Sequence, residues 1–146
     1  MGPQIGVDCK HLRVKAAVAA GTTDVNSTGV DMAGFDEVVF ETLIGTITSG
    51  AVTSAKLEQS DDDGSSDAYS AIDGCSVTIA DTMSDKAVVL GVRKPRKRYV
   101  RCTVDRGTQN CVVDGIMARL YGGRVLPPTD DSTIIGRAFA NSPAES

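Results

Sequence analysis

Side chains able to do chemistry are few in this chain, and they are scattered. A nucleophilic serine or cysteine needs a base within hydrogen-bond reach, and the only histidine is His11. It lies in MGPQIGVDCKHLRVK, which mixes glycine, proline and charge without a sustained period. A loosely held segment does not keep a base placed to within tenths of an ångström. The four cysteines, Cys9, Cys75, Cys102 and Cys111, form no CxxC pair, so the ligand spacing of a structural zinc site is missing. They read as reduced thiols packed like small hydrophobes. Whether Cys102 and Cys111 bridge is a matter of geometry that sequence leaves open. Asp61-Asp62-Asp63-Gly64 invites a calcium reading. An EF-hand loop, however, spaces its ligands and closes with a glutamate at position twelve. Here the aspartates are consecutive and the twelfth residue is Ile72. A solvated hairpin loop is the stronger reading, with a looser calcium site left open. Asp130-Asp131 stands in a proline-rich stretch, where nothing fixes two carboxylates across a cleft. No GxxxxGK[ST] or GxGxxG phosphate cradle occurs. The expectation is a protein without catalytic, cofactor-binding or metal residues, and not an enzyme.

One cluster remains. RKPRKRYVRC, residues 93–102, holds six of the fifteen basic residues: Arg93, Lys94, Arg96, Lys97, Arg98 and Arg101. Net charge is −4, and without those six the remainder would carry −10. Such a spot on an acidic body bears on partners rather than on fold. Nucleic acid is one reading, but the chain is acidic overall. Tyr99 is also the only aromatic interleaved with the charges, too little for a stacking platform. After Pro95 the pattern alternates. Val100, Cys102 and Val104 face inward, and Tyr99, Arg101 and Thr103 face outward. The pleat would then put Arg96 and Arg98 on one face and Lys97 and Arg101 on the other. The cluster reads as a charged approach to a strand, with side chains available for a salt-sensitive contact to an acidic protein surface.

The elements that would position these residues are strands. Glycine, serine, threonine, alanine, valine and aspartate dominate, aromatics are scarce, and there is no tryptophan; that favours strands and turns over helices. Alternation marks strands at 36–45, 53–60, 75–80, 97–105 and 111–122, and a more continuous apolar run marks one at 86–92. In the second, Ala55 and Leu57 point inward while Lys56 and Glu58 point to water. A length of 146 residues fits one domain. The predicted fold is all-β, an antiparallel β-sandwich or jelly roll with extended N- and C-terminal arms. The N-terminal arm and first strand take 1–20, the sandwich 21–123 and the C-terminal arm 124–146. That last arm carries apolar side chains, Ile134, Ile135 and Phe139, suited to docking on a neighbouring subunit. No secretory signal is visible. No run approaches the ~20 apolar residues of a membrane span, and folding in a reducing cytoplasm is expected.

Three stretches stand in a characteristic order: Gly34-Phe35-Asp36 opening a strand, Lys56-Leu57-Glu58-Gln59-Ser60-Asp61-Asp62, and Lys97-Arg98-Tyr99-Val100-Arg101. In order and spacing, residues 33–121 resemble the capsid cement (head decoration) proteins of tailed bacteriophages. The resemblance implies a jelly-roll-like sandwich on the outer surface of an icosahedral head, made in the host cytoplasm. Its partners would be the major capsid protein and itself, as dimer or trimer, with no membrane and no specific nucleic acid. Arg96, Lys97, Arg98, Arg101, Ile134, Ile135 and Phe139 are the candidate capsid or subunit contacts. The alternative is a carbohydrate- or cell-surface-binding sandwich module of a phage particle. The absence of tryptophan counts against it, because sugars stack on aromatic faces.

Overall fold

In the strand Glu37–Ile47 (β5), Val38, Phe40, Thr42 and Ile44 are buried, while Val39 and Glu41 are half-buried and Leu43 is exposed. β-Branched and aromatic residues at period two suit a pleated surface with one face on a core. The same logic repeats along the chain in a computed structural model that describes residues 4–140. A helical turn at Ile5–Asp8 (α1) leads into Lys10–Lys15 (β1) and Val18–Gly21 (β2). Two short pieces follow, Val25–Asn26 (β3) and Val30–Asp31 (β4), before β5. Thr53–Ser60 (β6), Ser70–Ile79 (β7), Ala87–Arg93 (β8), Tyr99–Arg106 (β9) and Cys111–Tyr121 (β10) complete the set.

These strands form two antiparallel sheets, ordered β1-β10-β5-β8 and β3-β9-β6-β7. β2 continues β1 along the edge of β10, and β4 lies beside β9 with β3. Each of those two pairs occupies one strand position, leaving eight positions. The first position then pairs with the eighth, the second with the seventh, the third with the sixth and the fourth with the fifth. That is one long hairpin rolled up on itself, the jelly roll. The expected all-β sandwich is what the chain forms. Between the sheets, Phe40, Ile116, Ala118 and Leu120 meet Leu57, Val100, Cys102 and Val104. A side chain such as Phe40 or Leu57, fully withdrawn from water, contributes about 1.5–3 kcal/mol. Thr42 Oγ1 and Cys102 Sγ approach to 3.4 Å across the gap between sheets, so two buried polar atoms satisfy each other.

The N-terminal segment differs from expectation. Residues 10–15 are not an arm but a strand in register with β10, from Lys10 opposite Leu120 to Arg13 opposite Met117. Val14 enters the core and Cys9 is buried. The segment looked patternless because it is short and bulged, with a register shift between Arg13 and Lys15. Across that bulge stands Gly115, whose φ of +148° is a conformation other residues rarely take. The described part of the C-terminal segment, 124–140, has no strand, as expected, but it folds back on its own chain. Arg137 donates to the carbonyls of Gly6, Val7 and Cys9 at 3.0–3.1 Å and pairs with Asp130 at 2.7 Å. Arg13 N donates to Thr133 Oγ1. The Phe139 ring lies directly against Gly6, leaving no room for a Cβ there.

Candidate functional site

The basic cluster does not divide as a pleat would divide it. β9 begins only at Tyr99; residues 94–98 are a turn, in which Lys94 takes φ +51° and its N–H donates to Asp36 O at 2.6 Å. Pro95 lacks a donor and suits such a turn. Most of the cationic side chains are thereby gathered at one end of the sandwich. Three of the four cationic candidates already have partners within the chain. Lys97 Nζ reaches Asp67 Oδ2 at 2.6 Å. Arg98 grips Asp31 with two parallel bonds of 2.9 and 2.8 Å, and its guanidinium lies 5.4 Å from the Tyr99 ring centre. Arg101 binds Glu58 at 2.9 Å and stacks 4.2 Å from the centre of the Tyr69 ring. Glu58, expected to point to water, is buried, because Arg101 stands directly across from it and Thr103 Oγ1 donates to it at 2.8 Å. Arg96 is exposed, and no ion pair holds it among the described residues. Arg93 and Lys94 are exposed in the same way.

The acidic loop is built from its own hydrogen bonds. Asp62 accepts from the N–H groups of Ser66 and Asp67, and Asp67 accepts from Asp61 N. Ser60 Oγ donates to Asp67 O at 2.6 Å and accepts from Gly64 N at 2.8 Å. Tyr69 O–H donates to Asp63. The N–H groups of Asp67 and Ser66 hold the Asp62 carboxyl below its ordinary value, and the Lys97 ammonium does the same for Asp67. The hydrogen bonds from Arg98 likewise lower Asp31. Burial, then the bond to Asp63, pushes the Tyr69 phenol up. Carboxylates that cap backbone donors in this way serve the hairpin. No cluster of three or more potential metal ligands occurs among the described residues.

Between the turn at 31–36 and the turn at 93–98 runs an open groove of about 520 Å³. Its charged lining is Lys94, Arg96, Lys97, Arg98 and Arg124 with one carboxylate, Asp36, and its apolar lining is Met32, Phe35 and Pro95. Arg124 meets Asp36 only at 3.6 Å and is 67% exposed. A second depression of about 320 Å³ shares Lys94, Pro95 and Arg96 with the first and is lined beyond them by Ile72, Val92 and Asp73. Lys94 and Arg124 were not among the candidates read from the sequence. Lys94 lay between the expected strands and was read only as one member of the basic cluster, and Arg124 was assigned to an arm.

The remaining candidates lie elsewhere. Ile134 is half-buried, Ile135 is fully exposed, and Phe139 covers Gly6. None of the three lines the groove. His11 sits on β1 opposite Arg119. All four cysteines are free and buried, with Cys102 in β9 and Cys111 in β10, on different sheets. Burial raises each thiol, Cys102 to about 11.

No protein-family model matches the chain, and no curated protein matches it. Solved structures do. The PBSX exported protein XepA superposes with a TM-score of 0.56 at 17% identity, over 96% of this chain and 46% of that one. The chain thus spans about half the length of XepA. The CBM22-1–GH10 modules of Clostridium thermocellum xylanase 10B give a TM-score of 0.44 at 11% identity, over 88% of this chain and 30% of that one. The likeness to XepA is one of fold.

Proposed function

We propose that this chain is a non-enzymatic structural virion protein. It binds the outer surface of an icosahedral phage head and cements neighbouring major capsid subunits. The observation that supports this most is a convergence. The three stretches that carry the resemblance to cement proteins lie far apart in sequence, yet they meet at one end of the sandwich. Lys94 N binds Asp36 O, Ser60 stands opposite Tyr99, and Lys97 binds Asp67 of the loop that follows Ser60. A rigid block with one cationic end on an otherwise acidic body suits an oriented, salt-sensitive contact repeated over a shell. The carbohydrate-binding alternative is weaker here, because guanidinium groups already lie over the rings of Tyr69 and Tyr99, and sugars need a free aromatic face.

The test is sedimentation of the protein with expanded, undecorated heads built from the major capsid protein of the same genome, at low and high salt. Co-sedimentation at a fixed ratio to the capsid subunit, weakening as salt rises, is expected. No binding at any salt would overturn the reading.

A further inference from the structure

We infer that the groove between the 31–36 and 93–98 turns docks an extended acidic segment of a partner protein, with an apolar side chain set among its carboxylates. The inference gives the partner chemistry of the proposed attachment surface and in that respect rests on that reading.

Charge is the first argument. Lys94 and Arg96 are exposed and have no ion-pair partner among the described residues, while Arg124 has only the 3.6 Å approach to Asp36. The neighbouring cations show which anion this surface accommodates. Arg98 holds Asp31 in the two-bond fork that guanidinium forms with carboxylate, and Lys97 holds Asp67. Shape is the second argument. Met32, Phe35 and Pro95 give the groove an apolar lining between its cations. The adjoining depression prolongs it past Arg96, as an extended peptide with alternating side chains requires.

A long polyanion fits less well. Outside residues 93–102 the chain carries −10, so phosphates running beyond the groove would meet an acidic surface. Arg98 and Arg101 already lie over one face of Tyr99 and of Tyr69, which reduces the aromatic surface near the groove on which bases could stack.

The test uses the whole protein and a short fluorescein-labelled peptide of glutamates with a central leucine, read by fluorescence anisotropy. Comparison probes are the same peptide with glutamine for glutamate, and labelled duplex DNA. The variants are K94E with R96E together, and K86E at the far end of β8 as control. Circular dichroism verifies that each variant is folded. Wild type and K86E should bind the glutamate peptide alike, and the double variant about tenfold or more weakly, as expected for two reversed rim charges. Equal binding of the glutamine peptide, an unaffected double variant, or preferential binding of DNA through Lys94 and Arg96 would each overturn the inference. Head sedimentation separates the two failures. Heads that bind when the peptide does not would sink the groove alone. Peptide binding without head binding would sink the attachment reading alone.

Discussion

Asp24 and Asp105 show how a single contact between side chains can work against the fold. The hydrogen bond from Asp24, then burial, raises the Asp105 carboxyl above its ordinary value of 3.8. Two carboxyls in contact share a proton more readily than they ionise together. A carboxyl raised on folding binds more protons in the folded state, so stability falls as pH climbs from about that value through the raised one. Asp105→Asn keeps the shape and removes one charge. It should raise the melting temperature at pH 7, by under about 1 kcal/mol in stability because Asp24 is exposed. At pH 3, where the raised Asp105 carboxyl is already protonated, the gain should vanish. Thermal melts at both pH values decide it, and a gain of equal size at pH 3 would contradict the carboxyl-pair account. Asp31 and Asp67 run the opposite way. Their lowered values mean stabilisation that is present above the ordinary carboxylate value and is lost as pH falls through the folded one. Arg101 matters at this scale too. Charge reversal there would set a carboxylate against buried Glu58, so it would test folding rather than attachment. Lys94 and Arg96 are the better positions for probing the surface.

Most strands were legible because they have one buried face. β5 and β10 alternate apart from one break each, at Ile44-Gly45 and Gly115-Ile116, and sequence placed both within a few residues. Their pairing was not legible, and the site depended on it. Tyr121 stands opposite Glu37, which brings Asp36 beside Gly122 and delivers Arg124 to the groove. No local pattern announces that register. Arg106 escaped notice for a similar reason: it closes β9 with a charge where an exposed end is the ordinary expectation. It is in fact 3% exposed. Its guanidinium donates to Thr23 O at 2.7 Å, Ala19 O at 2.9 Å and Cys111 O at 2.6 Å. These bonds tie the end of β9 to β10, to β2 and to the loop after β2, joining the two sheets. Arg106→Leu would leave three carbonyls without this donor. It should cost about 3 kcal/mol of unfolding free energy, given 1.5–3 kcal/mol for a charged hydrogen bond. Urea denaturation measures it, and a loss no greater than that of exposed Arg96→Ala would refute the clamp.

Across the whole molecule, the two terminal segments hold each other. A sandwich leaves its edge strands open to unwanted pairing, and β1 is an edge of its sheet. The C-terminal segment covers that region: Thr133 accepts from Arg13 N, Arg137 takes three carbonyls just before β1, and Phe139 lies on Gly6. This arrangement uses Phe139 and Arg137 within the chain, yet leaves Ile135 fully exposed and Phe139 exposed over about half its surface. Arg137→Ala removes the bonds to Gly6, Val7 and Cys9 and the pair with Asp130. The sheets should keep their stability, because the core lies elsewhere, while both terminal segments open more often. Amide exchange at residues 5–9 should speed up with little change in β5 and β10, and protease should cut the 124–140 segment sooner. Unchanged exchange at 5–9 would mean that Phe139 and Thr133 suffice to hold the segments together. Faster exchange throughout the sheets would mean that the latch supports the core itself.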